Sequence, residues 1–212
     1  MKLNRKMAMN IFLLFLFSGS ILIPAFNILM KPKPAPMEMA VIETTMGTIE
    51  IELDRANAPV TVENFINYAN AGYYEGLVFH RVISNFMIQG GGFDSEGVFK
   101  IPNNPIANEA NNGLSNVRGT IAMARTSEPD SATSQFFINT NNTNTFLDFQ
   151  NTENPGYTVF GRVVKGMDIV DAIKVVETST RDAYFPEYDF TQPMENWPVD
   201  EIIITEVTIS DS

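Results

Sequence analysis

The chain has 212 residues, no cysteine and a single histidine, His80, which excludes disulfide frameworks, thiolate nucleophiles, Cys-based zinc sites and multi-histidine metal sites. The net charge is −11, and residues 1–40 hold Lys2, Arg5, Lys6, Lys31 and Lys33 against Glu38 alone, so the remainder carries 9 bases against 24 acids. A body this acidic repels phosphate backbones, and no nucleic-acid partner is expected.

Lys2, Arg5 and Lys6 precede an apolar stretch from Ile11 to Met30, broken only by Ser18, Gly19, Ser20, Pro24 and Asn27. A basic segment before an apolar one is an export signature, and the stretch also matches the roughly 30 Å of a bilayer core. Residues 1–30 are therefore expected to be a signal peptide or an N-terminal membrane anchor. A cut near Ser18-Gly19-Ser20 would leave Ile21-Leu22-Ile23 on the product, which favours the anchor. Membrane contact is then confined to residues 7–30. Lys31-Pro32-Lys33-Pro34-Ala35-Pro36 reads as a stiff, extended spacer, with 31–40 as linker and 41–212 as the folded domain.

Within the domain, strands are expected over 41–45 and 48–53 around a Met46-Gly47 turn; Ile49, Ile51 and Leu53 alternate there with Glu50 and Glu52. A helix follows, with Pro59 near its start, Val62, Phe65, Ile66 and Ala69 at helical spacing, and Gly72 as its stop. Strands are expected again over 77–83, 86–90, 120–124, 135–139 and 157–164. A second helix over 167–173 opens after Gly166, and 201–209 closes the chain as a strand. Asn139 to Thr145 reads as a polar loop. Thr178 to Asp200, with Tyr184, Phe185, Tyr188, Phe190 and Trp197 among acids, reads as a long loop packing its aromatics across the domain, or else as a partner surface. Many short antiparallel strands with two helices indicate a sandwich or a closed barrel. Gly90-Gly91-Gly92 lacks a following Lys-Ser/Thr, and no DxDxDG loop occurs, so neither a phosphate cradle nor a metal is expected.

Side chains two apart on a strand share a face. Phe79 and Arg81 are thus expected to point one way, His80 and Val82 the other. Met87 and Gln89 lie opposite Ile88, and Gln135 and Phe137 lie opposite Phe136 and Ile138. If the apolar sets fill the interior, Arg81, Met87, Gln89, Gln135 and Phe137 face outward. One cation, two amides and apolar bodies suit a groove for an extended peptide.

Phe79-His80-Arg81-Val82-Ile83, Phe86-Met87-Ile88-Gln89-Gly90-Gly91, Gly119 to Ala124, Ser131 to Ile138 and Val159-Phe160-Gly161 resemble the cyclophilin peptidyl-prolyl isomerases, in the family's order over 41–175. The pattern looks like the exported bacterial branch. The resemblance implies a mainly β fold, a closed eight-stranded antiparallel β-barrel capped by two α-helices. It implies a monomer that isomerises X-Pro bonds of polypeptide clients without cofactor or covalent intermediate, in the periplasm or on the extracytoplasmic face of the inner membrane. Arg81 matches the catalytic arginine. Phe86, Met87, Phe137 and Leu147 match the proline pocket, Gln89 and Gln135 match positions that bond substrate backbone, and Ala124 matches the groove lining. His80 is expected to be structural.

Four departures stand out. Ser84-Asn85 replaces a frequent Pro-Gly beside the pocket. Phe146 stands where some members carry a Trp that binds cyclosporin, implying weak sensitivity to that drug. Tyr157 replaces an active-site His and lines the pocket with its hydroxyl. Arg125 replaces an Asn and changes the charge of the groove. A proline-peptide binder without turnover is the competing class; retention of Arg81, Phe86, Gln89 and Phe137 together favours the enzyme.

Overall fold

The alternation of Ile49, Ile51 and Leu53 with glutamates becomes a strand whose apolar side is buried. The structure, a computed structural model, describes residues 38–211; the expected leader or anchor at 1–30 and the spacer up to 37 lie outside the described residues. Strands β1 (Glu38–Thr44) and β2 (Gly47–Leu53) form a hairpin, with the Thr44 hydroxyl donating to the Gly47 carbonyl at 2.7 Å. β1 begins inside the stretch read as linker. Its first residues pair on both sides, with β2 and with the last strand, and Arg55 Nε donates to the Glu38 carboxylate at 2.6 Å.

Helix α1 (Pro59–Asn70) opens with proline, whose fixed φ suits a first turn, and buries Val62, Phe65, Ile66 and Ala69. It has no side-chain cap of its own. Glu109, far along the chain, takes that role: its carboxylate accepts from the Val60 and Thr61 backbone N–H groups at 3.1 and 2.8 Å. Then come β3 (Arg81–Ile83), β4 (Met87–Gly90), β5 (Thr120–Met123), β6 (Phe136–Asn139), β7 (Val159–Lys165), helix α2 (Met167–Ile173), β8 (Thr178–Phe185), β9 (Phe190–Pro198) and β10 (Ile204–Asp211).

Eight strands form one antiparallel sheet in the order β10-β1-β2-β7-β5-β6-β4-β3. The expected closed barrel is therefore corrected to an open half-barrel, mainly β with two helices. Its two edges, β10 and β3, do not pair as strands. The run expected as a strand over 77–83 is regular only from Arg81. The seam is crossed instead by the irregular stretch before it, with Phe79 N donating to Ile202 O at 3.0 Å, Ile204 N to Leu77 O at 2.7 Å, and an isolated bridge between Val78 and Ile203.

The stretch read as a loop over 178–200 is also corrected: it is a second, two-stranded sheet of β8 and β9. It splits its aromatics. Trp197 and Ala183 close a small outer core with Val78 and Phe93, with Phe185 packed against it, while Tyr188 is 73 % exposed and Phe190 50 %. The main core lies between the concave sheet face and α1, where Phe65 meets Tyr74, Phe136 and Phe160 at ring separations of 5.3 to 5.7 Å.

Candidate active site

Strand register assembles the site. β4 lies between β3 and β6, and Gln89 stands directly opposite Arg81 on one side and Phe137 on the other, with Phe137 opposite Ala122 of β5. The neighbouring row, Val82, Ile88, Ile138 and Ile121, is buried in the main core. Period two then puts Arg81, Gln89 and Phe137 on the convex face together, as expected. Two positions before β3 break the expected parity. Phe79 enters the main core rather than sharing the face of Arg81, and His80 turns outward to the small core under the β8–β9 hairpin. Alternation does not hold across residues 79–80 because they are not in a strand.

On the convex face a cleft of about 220 Å³ is lined by Arg81, Phe86, Met87, Gln89, Ala124, Arg125, Phe137, Leu147 and Tyr157. Its floor is apolar: Met87, Phe137, Ala122 and Val159 are buried as a cluster, against which Phe86, Ala124, Leu147 and Tyr157 pack. Its polar wall is a chain of amides. Gln89 Nε2 donates to Gln135 Oε1 at 2.9 Å, and Arg81 Nη1 reaches Gln89 Oε1 at a longer 3.4 Å. Gln135, partly exposed and not among those lining side chains, thus orients the Gln89 amide. Phe146 also lies outside the lining; it is 58 % exposed and stacks on Phe86 at 5.9 Å, forming a rim.

Burial lowers the affinity of the Arg81 guanidinium for its proton, and the nearby Tyr157 hydroxyl acts in the opposite direction. A guanidinium remains charged under such a shift, so the cleft holds a partly desolvated cation with no carboxylate partner. Arg125 adds a second. Its Nε donates to Gly156 O at 2.9 Å, its Nη1 donates to Thr126 O at 2.8 Å, and the guanidinium sits over the Tyr157 ring at 4.5 Å.

His80 is fully buried, with its ring 4.8 Å from Phe93 and 5.7 Å from Trp197. Desolvation, aided by the Arg81 charge, pushes its pKa down to about 3, against the opposing pull of the Val78 backbone and the Gln135 side chain. Those two neighbours lie close without completing a well-formed hydrogen bond to either ring nitrogen. The ring is neutral at ordinary pH and packs as a wall.

A polar network supports the cleft, where the sequence showed only a polar loop from Asn139 to Thr145. Asn144 Nδ2 donates to Phe86 O and to Asn139 Oδ1, both at 2.7 Å, and Asn139 Nδ2 donates to Asn116 Oδ1 at 3.1 Å. Asp148 accepts from the Asn116 backbone at 2.6 Å. Asn116, Asn139 and Asn144 are buried. Together they hold the 3-10 turn Asn144–Leu147 against Phe86 and so set the mouth of the apolar pocket. The Ser84-Asn85 turn is fixed from the same side, its carbonyls accepting from Thr140 Oγ1 at 3.1 Å and Asn141 Nδ2 at 3.0 Å. Among the described residues no three carboxylates or imidazoles converge as a metal site would require.

The sequence model of the family described as cyclophilin type peptidyl-prolyl cis-trans isomerase/CLD matches residues 39–209. Peptidyl-prolyl cis-trans isomerase A of Dickeya dadantii is 55% identical over 143 residues, which is 68% of this chain and 74% of that protein. Peptidyl-prolyl cis-trans isomerase B of Escherichia coli is 46% identical over 175 residues, 82% of this chain and all of that protein. The crystal structure of a cyclophilin type isomerase from Cryptosporidium parvum, in the presence of the dipeptide Ala-Pro, is similar in fold, with a TM-score of 0.63 at 24% identity over 82% of this chain and 99% of that one.

Proposed function

The chain belongs to the cyclophilin-type peptidyl-prolyl cis-trans isomerases, and from that premise we propose how its cleft works and on which proteins. It is a peptidyl-prolyl cis-trans isomerase acting on proline-containing polypeptides. The barrier to be lowered, about 18–20 kcal/mol, is the loss of amide resonance when the X-Pro bond rotates. In our reading the client proline ring sits on the apolar floor of Phe86, Met87, Phe137 and Leu147, with Ala124 beside it. Gln89 holds the client backbone, with Gln135 fixing the orientation of its amide.

Rotation leaves the prolyl nitrogen pyramidal, with its lone pair localised, and Arg81 donates to it there. A guanidinium already fixed and partly desolvated stabilises the twisted state more than either planar one, and that difference is what accelerates the rotation. Tyr157 and Phe146 serve as wall and rim. No bond is made or broken, so no cofactor or covalent intermediate enters.

The observation that carries this reading is the half-buried, carboxylate-free Arg81 held beside the apolar floor by Gln89. Arg81→Ala should lower kcat/KM for X-Pro isomerisation at least about tenfold, or about 1.4 kcal/mol of transition-state stabilisation, with the unfolding midpoint unchanged. Full activity in a folded Arg81→Ala protein would overturn the mechanism. We further propose that the clients are exported proteins, reached in the periplasm or at the extracytoplasmic face of the inner membrane by a monomer carrying the basic and apolar leader of residues 1–30.

A further inference from the structure

Six arginines lie among the described residues, and four of them are paired with carboxylates: Arg55 with Glu38 and Glu63, Arg118 with Asp171, Arg162 with Glu52, and Arg181 with Glu201. Lys165 and Lys174 are paired likewise, and Lys100 donates to the Tyr73 carbonyl. In a body with so large an excess of carboxylates, an arginine without one is the exception. There are two, Arg81 and Arg125, and both line the same cleft.

Arg125 is not left free to seek a partner. Three backbone carbonyls, Gly156 O, Thr126 O and, at a longer 3.4 Å, Ser127 O, and the face of Tyr157 fix its guanidinium in place. Carbonyls orient the charge without neutralising it. Glu128 and Asp130 follow within five residues, yet neither pairs with it; Asp130 accepts instead from the Asn108 backbone at 2.8 Å. Nη2 of Arg125 makes no hydrogen bond among the described residues. The result is a preoriented cation with unspent donors in the client groove. It is distinct from Arg81, whose guanidinium turns to Gln89.

We infer that Arg125 is a specificity-determining residue that makes the cleft select client segments bearing a carboxylate side chain within the two residues before the proline. The inference rests on the reading of this cleft as the isomerase site. The free Nη2 N–H groups can donate a charge-assisted hydrogen bond to a carboxylate, and a neutral amide of the same shape forgoes the charge. Selection therefore appears as a difference between Glu and Gln at one client position, which controls for size and hydrogen-bonding shape.

The test uses the full-length chain and blocked peptides carrying Glu or Gln at each of the two positions before proline, with kcat/KM measured for every peptide. Glu should exceed Gln by about fivefold at one of the positions at low salt, the size of a single partly screened ion pair. The ratio should shrink towards one at about 1 M salt, where the Debye length is about 3 Å. Arg125→Gln should bring the ratio to one whatever it does to the absolute rates, and Arg125→Lys should keep part of it. Ratios below about twofold at both positions in the wild-type chain would overturn the inference without need of any variant. A ratio that survives Arg125→Gln would also overturn it, by assigning the selection to Arg81. A peptide with alanine at both positions separates the two readings: no turnover of it sinks the isomerase assignment, whereas equal turnover of Glu and Gln peptides sinks only the role of Arg125.

Discussion

His80 is the only histidine in the chain, and this makes the pH dependence of stability unusually easy to assign. Its pKa falls from an ordinary value of 6.5 to about 3 in the folded protein, chiefly through desolvation. The unfolded chain therefore takes up a proton on this side chain as pH drops through 6.5, while the folded protein does not. Stability conferred by the neutral ring is complete above pH 6.5 and declines below it, by about 1.4 kcal/mol per pH unit, until the folded protein itself protonates near pH 3. Between pH 7 and pH 5 the loss should reach about 2 kcal/mol, or about 4–8 °C in Tm for a domain of this size. Asp171, whose pKa Arg118 and Lys174 pull down to about 2, adds stability that is complete above the ordinary carboxylate value of 3.8 and lost only below it, outside that window. The measurement is urea or thermal unfolding of wild type and His80→Gln at half-unit steps from pH 7 to 5. The variant should be flat where the wild type slopes. Isomerase activity per folded molecule should be flat in both, since the native ring stays neutral and is not a base. Equal slopes in the two proteins would refute the assignment of the shift to His80.

Two further outcomes are expected. Asn144→Ala removes the donor that ties the 3-10 turn to the Phe86 carbonyl and leaves Asn139 short of a partner; unfolding should occur about 1–3 kcal/mol more easily, and KM should rise more than kcat falls because the pocket mouth loosens. Mass spectrometry of the protein from a membrane fraction should find the N-terminal apolar stretch retained, whereas a mature chain starting between residues 19 and 41 would refute the anchor.

Legibility from the sequence followed regularity. The face shared by Arg81, Met87, Gln89 and Phe137 could be read because β3, β4 and β6 keep strict alternation and pair in simple register. Phe79 and His80 were misplaced because the same rule was extended two residues beyond the start of β3. The β8–β9 hairpin was hidden by Pro186, Pro193 and Pro198, which read as loop, and by the absence of any apolar alternation except at buried Ala183 and Trp197. Asn116, Asn139 and Asn144 carried no signal at all, since a buried asparagine and a solvated one look alike until three distant segments converge. Arg125 and Tyr157 were visible as departures from the family pattern, but the stacking of one on the other, and with it the fixed second cation, exists only in three dimensions.

The pairing of β1 with both β2 and β10 brings opposite ends of the domain into adjacent ladders, Glu38 opposite Asp211 and Ala40 opposite Ile209. A contact spanning almost the whole domain forms late and slowly, because the intervening chain must first be confined. During synthesis, β1 emerges long before β10 and must wait for it before its outer edge is covered. Until then an unpaired strand edge is open to any extended chain nearby. The folding chain thus passes through an edge-exposed, association-prone state before its sheet is complete. Truncation by as few residues as make up β10 would make that state permanent.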